Sequence, residues 1–129
     1  MINTYYDQHA AEYFAETVFV DMATLHQRFL DHVPAGGLIL DAGCGSGRDT
    51  KKFIESGFRV VSFDGSTRLA ELASKHVGQR VEVRQFSDVT ERACYDGVWA
   101  CASLLHLPAA EIPKSIGHLW SSLKPGGVL

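Results

Sequence analysis

Between the apolar run Leu38-Ile39-Leu40 and a stretch with helical spacing lies Asp41-Ala42-Gly43-Cys44-Gly45-Ser46-Gly47-Arg48-Asp49, with three glycines at alternate positions. An uninterrupted apolar run that closes into a glycine turn and then a helix reads as a buried parallel strand with its functional loop at the carboxyl end. The glycines allow positive φ and let backbone approach a ligand closely. Asp41, at the strand end, can fix that loop or receive a ligand's ammonium group. The plainer reading of the passage by itself is an ordinary glycine-rich turn.

The pattern then repeats in alternation. Asp49 to Ser56 is expected to be a helix with Phe53 and Ile54 facing the sheet, stopped by Gly57. Arg59 to Phe63 reads as the second strand, ending at Asp64. Ser66 is placed to cap a third helical stretch whose Leu69, Leu72 and Ala73 face inward before Gly78. Val81 to Phe86 alternates Val with Glu82 and Arg84 and reads as an edge strand; Gly97 to Ala102 is the fourth. A last helix carries Ile112, Ile116, Leu119, Trp120 and Leu123 on one side, Lys124-Pro125-Gly126-Gly127 stops it, and Val128-Leu129 begin a strand. Ahead of all this, Phe14, Val18, Met22, Leu25 and Phe29 recur at steps of three and four and predict an N-terminal helix ended by Pro34 and Gly36-Gly37. The fold class is therefore α/β, a Rossmann-like, doubly wound, mostly parallel sheet, with residues 1–34 as an N-terminal helical extension and residues 35–129 as the sheet domain. Ligands of such sheets bind beyond the carboxyl ends of the strands.

Composition narrows the partners. Twelve Lys and Arg against fifteen Asp and Glu give a net charge of -3 with no basic run, which argues against nucleic acid. The longest apolar-leaning stretch, Gly97 to Ala110, falls short of the roughly 18 residues of a membrane span. Met1 to Tyr13 lacks the pattern of a secretory signal, so a cytoplasmic protein is expected. Cys44, Cys94 and Cys101 form no CxxC pair, and the six histidines show neither HxH nor HExxH spacing, so no metal site is read.

Asp64 lies about 20 residues beyond the glycine loop, where a strand-end carboxylate accepts hydrogen bonds from ribose hydroxyls. A dinucleotide fingerprint requires a further glycine or alanine where Arg48 stands, which disfavours pyrophosphate and leaves a nicotinamide-dependent oxidoreductase as a distant alternative.

These segments, with Tyr95-Asp96-Gly97-Val98-Trp99-Ala100, Ser103-Leu104-Leu105-His106-Leu107-Pro108 and Leu123-Lys124-Pro125-Gly126-Gly127-Val128-Leu129, resemble a class I S-adenosylmethionine-dependent methyltransferase of the small-molecule type 11, type 12 or tellurite-resistance-like kind. The resemblance covers Tyr5 to Leu129. It implies S-adenosylmethionine as cofactor and a small-molecule O, N or S nucleophile as methyl acceptor. By the same resemblance Asp41, Gly43, Cys44, Gly45 and Gly47 line the methionine and ribose part of the cofactor, and Asp64 holds the ribose hydroxyls. Ser87 and Asp88 meet the adenine amino group, although Asp88 can equally be a turn cap. Gly65 and Arg68 stand where such domains often pack a bulky apolar residue on adenine, and the segment Cys101 to Ser103, with Ala102 and Ser103, turns backbone carbonyls toward the methionine end. Residues 1–34 resemble a lid, whose Tyr13 offers an aromatic face to the sulfonium cation; Tyr5, Tyr6 and Tyr13 can instead simply pack on the sheet. His106 is the candidate general base on the acceptor, or a residue that only shapes the pocket. Against the resemblance the chain reads as truncated at the C-terminus with the last strands missing. That leaves the fourth strand as an exposed apolar edge that invites homodimerisation, and makes a non-catalytic cofactor-binding module the alternative function.

Overall fold

A computed structural model describes residues 9–12, 14, 23–101 and 107–129 of the chain. Residues 9–12 and 14 are helical. The elements that follow are α1 (Ala23–Leu30), β1 (Leu38–Ala42), α2 (Arg48–Glu55), β2 (Arg59–Asp64), α3 (Thr67–Val77), β3 (Glu82–Val83), β4 (Tyr95–Trp99), α4 (Ile112–Ser122) and β5 (Leu123–Val128). The strands form one sheet in the order β3-β2-β1-β4-β5, with every neighbouring pair parallel. Ile39 lies beside Val60 of β2 and Gly97 of β4, so β1 is the central strand, as its uninterrupted apolar run requires.

Side chains alternate along a strand, and β1 serves both faces of the sheet. Ile39 packs with Phe29, Val33 and Phe53 from the α1 and α2 side, whereas Leu40 and Ala42 pack with Phe63, Val98 and Leu119 from the α4 side. A smaller cluster of Cys44, Ala70, Ala73 and Val81 sits beneath α3. This is the doubly wound α/β architecture that the alternation of strand and helix predicts. Because all strands run the same way, the loops after Ala42, Asp64 and Trp99 emerge at one end of the sheet.

Four local expectations are corrected. In α1 the inward position is His26, not Leu25, which is 47% exposed. β3 stops at Val83; Arg84 turns to pair with Glu91, and Phe86–Asp88 closes a 3-10 turn in which the Asp88 carboxylate accepts from the Gln85 amide. β4 spans Tyr95–Trp99, two residues earlier than its apolar run indicates, because Asp96 is anchored there: it accepts from the Leu38 amide at 2.9 Å and faces Lys124 at 3.5 Å. β5 begins directly after α4 and pairs with β4 through an irregular register around Tyr95 and Gly97, so the edges of the sheet are β3 and β5, not β4. Among the described residues no helix is long and apolar enough to cross a membrane, and no group of three His, Cys, Asp or Glu side chains could hold a metal ion.

Candidate functional site

The glycine loop is built by its own hydrogen bonds. Gly43, Gly45 and Gly47 all have positive φ, of 74°, 57° and 84°, which lets the chain coil tightly at the end of β1. Gly43 and Cys44 both donate to the Phe63 carbonyl, at 3.0 and 2.9 Å, and Gly47 donates to the Cys44 carbonyl. Gly45 donates to Asp64 Oδ2 at 3.0 Å. The loop is thereby bolted to the end of β2, with four of its amides committed inside the protein. Gly47 also lies flat on α3: a Cβ there would stand 2.8 Å from a Val77 methyl group.

Asp64 is the pivot of this end of the sheet. Its Oδ1 accepts from the Ser66 amide at 3.0 Å while Oδ2 holds Gly45. Ser66 in turn caps α3, accepting from the Leu69 amide, as its position in the sequence predicts. The two backbone bonds fix the Asp64 carboxylate at the end of β2, between the glycine loop and the start of α3.

Beneath the loop, Asp41 is only 1% exposed and accepts from the Thr50 hydroxyl at 2.6 Å, while Thr50 accepts from Ser62. Burial, reinforced by the nearby Asp49 charge, pushes the Asp41 carboxyl up to about 8. Burial also raises the Cys44 thiol well above its ordinary value, so that side chain is a small apolar filler rather than a thiolate. Ser87 and Asp88 are exposed in the 3-10 turn after β3. The cap bond from Gln85 to Asp88 is present, as the turn-cap alternative expected. Tyr13, Ala102, Ser103 and His106 lie outside the described residues, as do Tyr5, Tyr6, Val18 and Met22.

Sequence reasoning missed a buried cluster beside the loop. Asp49, the second residue of α2, receives His26 Nε2 and Arg48 Nε on Oδ1, at 2.6 and 2.9 Å. Its Oδ2 receives the other Arg48 nitrogen and Trp99 Nε1, both at 2.9 Å. Burial pushes the Asp49 carboxyl up, but the donors from Arg48, His26 and Trp99 outweigh it and hold the group below its ordinary range. The available signal was the spacing: His26, Phe29 and Val33 step by three and four, a better inward stripe than one through Leu25.

A sequence profile described as a methyltransferase domain matches residues 39–127, from the second residue of β1 to the last but one of β5. The chain belongs to this methyltransferase-domain family. Among curated relatives it is 31% identical to the ubiquinone biosynthesis O-methyltransferase of Xanthomonas axonopodis pv. citri, over 74% of this chain and 42% of that protein. Two solved structures share the fold. The 1,6-didemethyltoxoflavin-N1-methyltransferase of Burkholderia thailandensis superimposes with a TM-score of 0.76 at 24% identity, covering 96% of this chain and 57% of that one. A TehB-like methyltransferase of Corynebacterium glutamicum gives 0.75 at 22% identity, covering 97% and 68%. The chain spans less than half the length of the curated relatives it matches. For a methyltransferase domain the committed loop amides are informative: a cradle for pyrophosphate needs free N–H groups pointing at the ligand, and Gly43, Cys44, Gly45 and Gly47 have given theirs to the protein.

Proposed function

We propose that the chain binds S-adenosylmethionine and takes part in methyl transfer to an O, N or S nucleophile of a small molecule. The observation that carries this reading is the placement of Asp64, a strand-end carboxylate fixed by the Gly45 and Ser66 amides between the glycine loop and α3, beside a loop whose own amides are committed inside the protein. A nucleoside with two vicinal hydroxyls and no phosphate fits that combination, since the adjoining loop allows close approach but offers few donors. When bound, the sulfonium supplies an already electrophilic methyl group. The residues of the chain therefore have only to hold and align, and alignment of this kind supplies roughly 7–11 kcal/mol of a barrier.

In this reading Gly43, Cys44, Gly45 and Gly47 form the surface against which the ribose and methionine part lies, and Asp64 takes the ribose hydroxyls. Gly65, Ser87 and Asp88 border the adenine. The Thr50 bond and the burial of Asp41 support the loop-holding role for that carboxyl over contact with the ligand's ammonium group. Ala102 and Ser103 flank the methionine end, Tyr13 faces the sulfonium from a lid in the N-terminal segment ahead of α1, and His106 serves the acceptor. A small acceptor agrees with relatives such as the ubiquinone-pathway and didemethyltoxoflavin enzymes.

Calorimetric titration with S-adenosylhomocysteine, which lacks the transferable methyl group, tests the reading. Saturable binding is expected, and Asp64→Ala is expected to weaken it by about 100-fold, the effect of leaving two buried ribose hydroxyls without their acceptor. Binding that is absent in the folded chain, or indifferent to Asp64→Ala, overturns the assignment.

A further inference from the structure

The cluster on Asp49 belongs to none of the residues assigned to the cofactor, yet it joins three segments that surround the glycine loop. His26 comes from α1, Arg48 and Asp49 from the first turn of α2 directly behind Gly47, and Trp99 from the end of β4. Each Asp49 oxygen accepts two hydrogen bonds, so the carboxylate's acceptor sites are filled. The Arg48–Asp49 pair thus has one defined position, set jointly by α1 and β4.

His26 is an unusual choice for its surroundings. The ring is buried between Phe53, at 5.1 Å centroid separation, and Trp99, at 5.4 Å. Its Nδ1 is buried with no hydrogen-bond partner among the described residues, which is destabilising. A phenyl or aliphatic side chain would fill this aromatic nest without an orphaned nitrogen. What the imidazole adds is the bond from Nε2 to Asp49.

We propose that His26 is a positioning residue: acting through Asp49, it latches α1 onto the start of α2, so that the seating of the N-terminal helix and the shape of the Gly43 to Gly47 loop are set together. Close packing transmits the constraint. Gly47 has no room to retreat, because even a Cβ on it would stand 2.8 Å from Val77 and 3.2 Å from Ala73 of α3, and close-packed interiors transmit such a constraint. Gly47, held in its left-handed conformation, is followed directly by Arg48 and Asp49, so a displacement of Asp49 bears on the loop through two residues of chain. The consequence for ligand binding rests on the assignment of that loop to the cofactor; the coupling of α1 to the loop does not.

The test uses the full chain with His26→Leu, which removes the donor, and His26→Gln, whose amide nitrogen reaches about as far as Nε2. Hydrogen exchange of the Gly43 to Asp49 amides is followed by mass spectrometry without ligand, and S-adenosylhomocysteine affinity by calorimetry. In a folded His26→Leu variant the loop amides are expected to exchange at least about tenfold faster, with affinity reduced about tenfold, and His26→Gln is expected to recover most of both. Loop exchange equal to that of the unmodified chain in His26→Leu overturns the latch. So does a Gln variant as impaired as the Leu variant, since that marks the ring as packing alone. If His26→Leu does not fold, His26→Asn, whose amide falls short of Asp49, takes its place with the same criteria. Should the unmodified chain not bind S-adenosylhomocysteine, the proposed function fails while the exchange measurement still decides the latch.

Discussion

Asp41 and Glu91 are carboxyls that the fold pushes in opposite directions, and each leaves a distinct mark on stability. Burial, then the Asp49 charge, raises Asp41 from 3.8 to about 8. Between those values the folded chain keeps a proton that the unfolded chain has released, so this contribution is full below pH 4 and declines as pH rises toward 8. Asp41→Asn keeps an acceptor for the Thr50 hydroxyl and does not titrate. The variant is expected to gain melting temperature relative to the unmodified chain at pH 8 and to lose that advantage at pH 5; parallel curves across this range would refute the raised value. Glu91 behaves conversely. Burial raises it, but bonds from Arg84, from the Tyr95 hydroxyl and from backbone outweigh that and hold it at about 2 against an ordinary 4.5. Its contribution is full above 4.5 and is lost as pH falls toward 2, so Glu91→Gln is expected to flatten the acid limb of the stability profile in thermal melts at pH 2 to 5. Residues such as Asp64 and Ser66 were legible in the sequence because a strand end and a helix start are local signals. Periodicity can turn His26 inward, but its partner Asp49, 23 residues away, becomes visible only when α1 lies against α2.

At the scale of the element, α4 shows where periodicity misleads. Counting apolar residues puts Ile112, Ile116, Leu119, Trp120 and Leu123 on the inner side; Leu119 and Leu123 are buried, but they are joined by Ser115 and Ser122, whereas Ile116 is 40% and Trp120 63% exposed. Small serines let the helix approach the sheet closely, and Ser122 satisfies its hydroxyl on the Leu119 carbonyl at 2.6 Å, so burying it leaves nothing unpaired. A sequence reading that scores serine as polar cannot see this. Leu119→Ala is therefore expected to cost about 2–5 kcal/mol, whereas Trp120→Ala should stay within about 0.5 kcal/mol; denaturant melts of the two variants decide whether the buried face is the serine side. The shortening of β3 has a similar origin. Val81 to Phe86 alternates as a strand should, but Arg84 pairs with Glu91 and lies 5.4 Å over the Phe63 ring, which draws the chain out of the ladder.

Across the whole molecule, the alternation of strand and helix was enough to give a doubly wound, mostly parallel sheet and the end at which the loops gather, because parallel strands with crossover helices leave few arrangements. How α1 seats on this sheet was not legible, since it depends on an absence: Gly97 opens a hollow in β4 that Phe29 fills. A Cβ at Gly97 would stand 2.7 Å from Phe29 Cζ and 3.0 Å from Val33 Cγ2. Phe29 cannot simply turn aside, because its ring is held between Phe53 and Trp99 at centroid distances of 5.6 and 5.1 Å. Gly97→Ala is accordingly expected to destabilise by about 1–3 kcal/mol through overpacking, and to raise protease sensitivity across Ala23–Leu30. The decisive comparison is a double-mutant cycle with Phe29→Leu, a smaller side chain that relieves the clash. If α1 docks through this hollow, the double variant is more stable than the sum of the single losses requires, by at least about 0.5 kcal/mol. Strict additivity would mean that Gly97 and Phe29 act independently and that α1 is seated by other contacts.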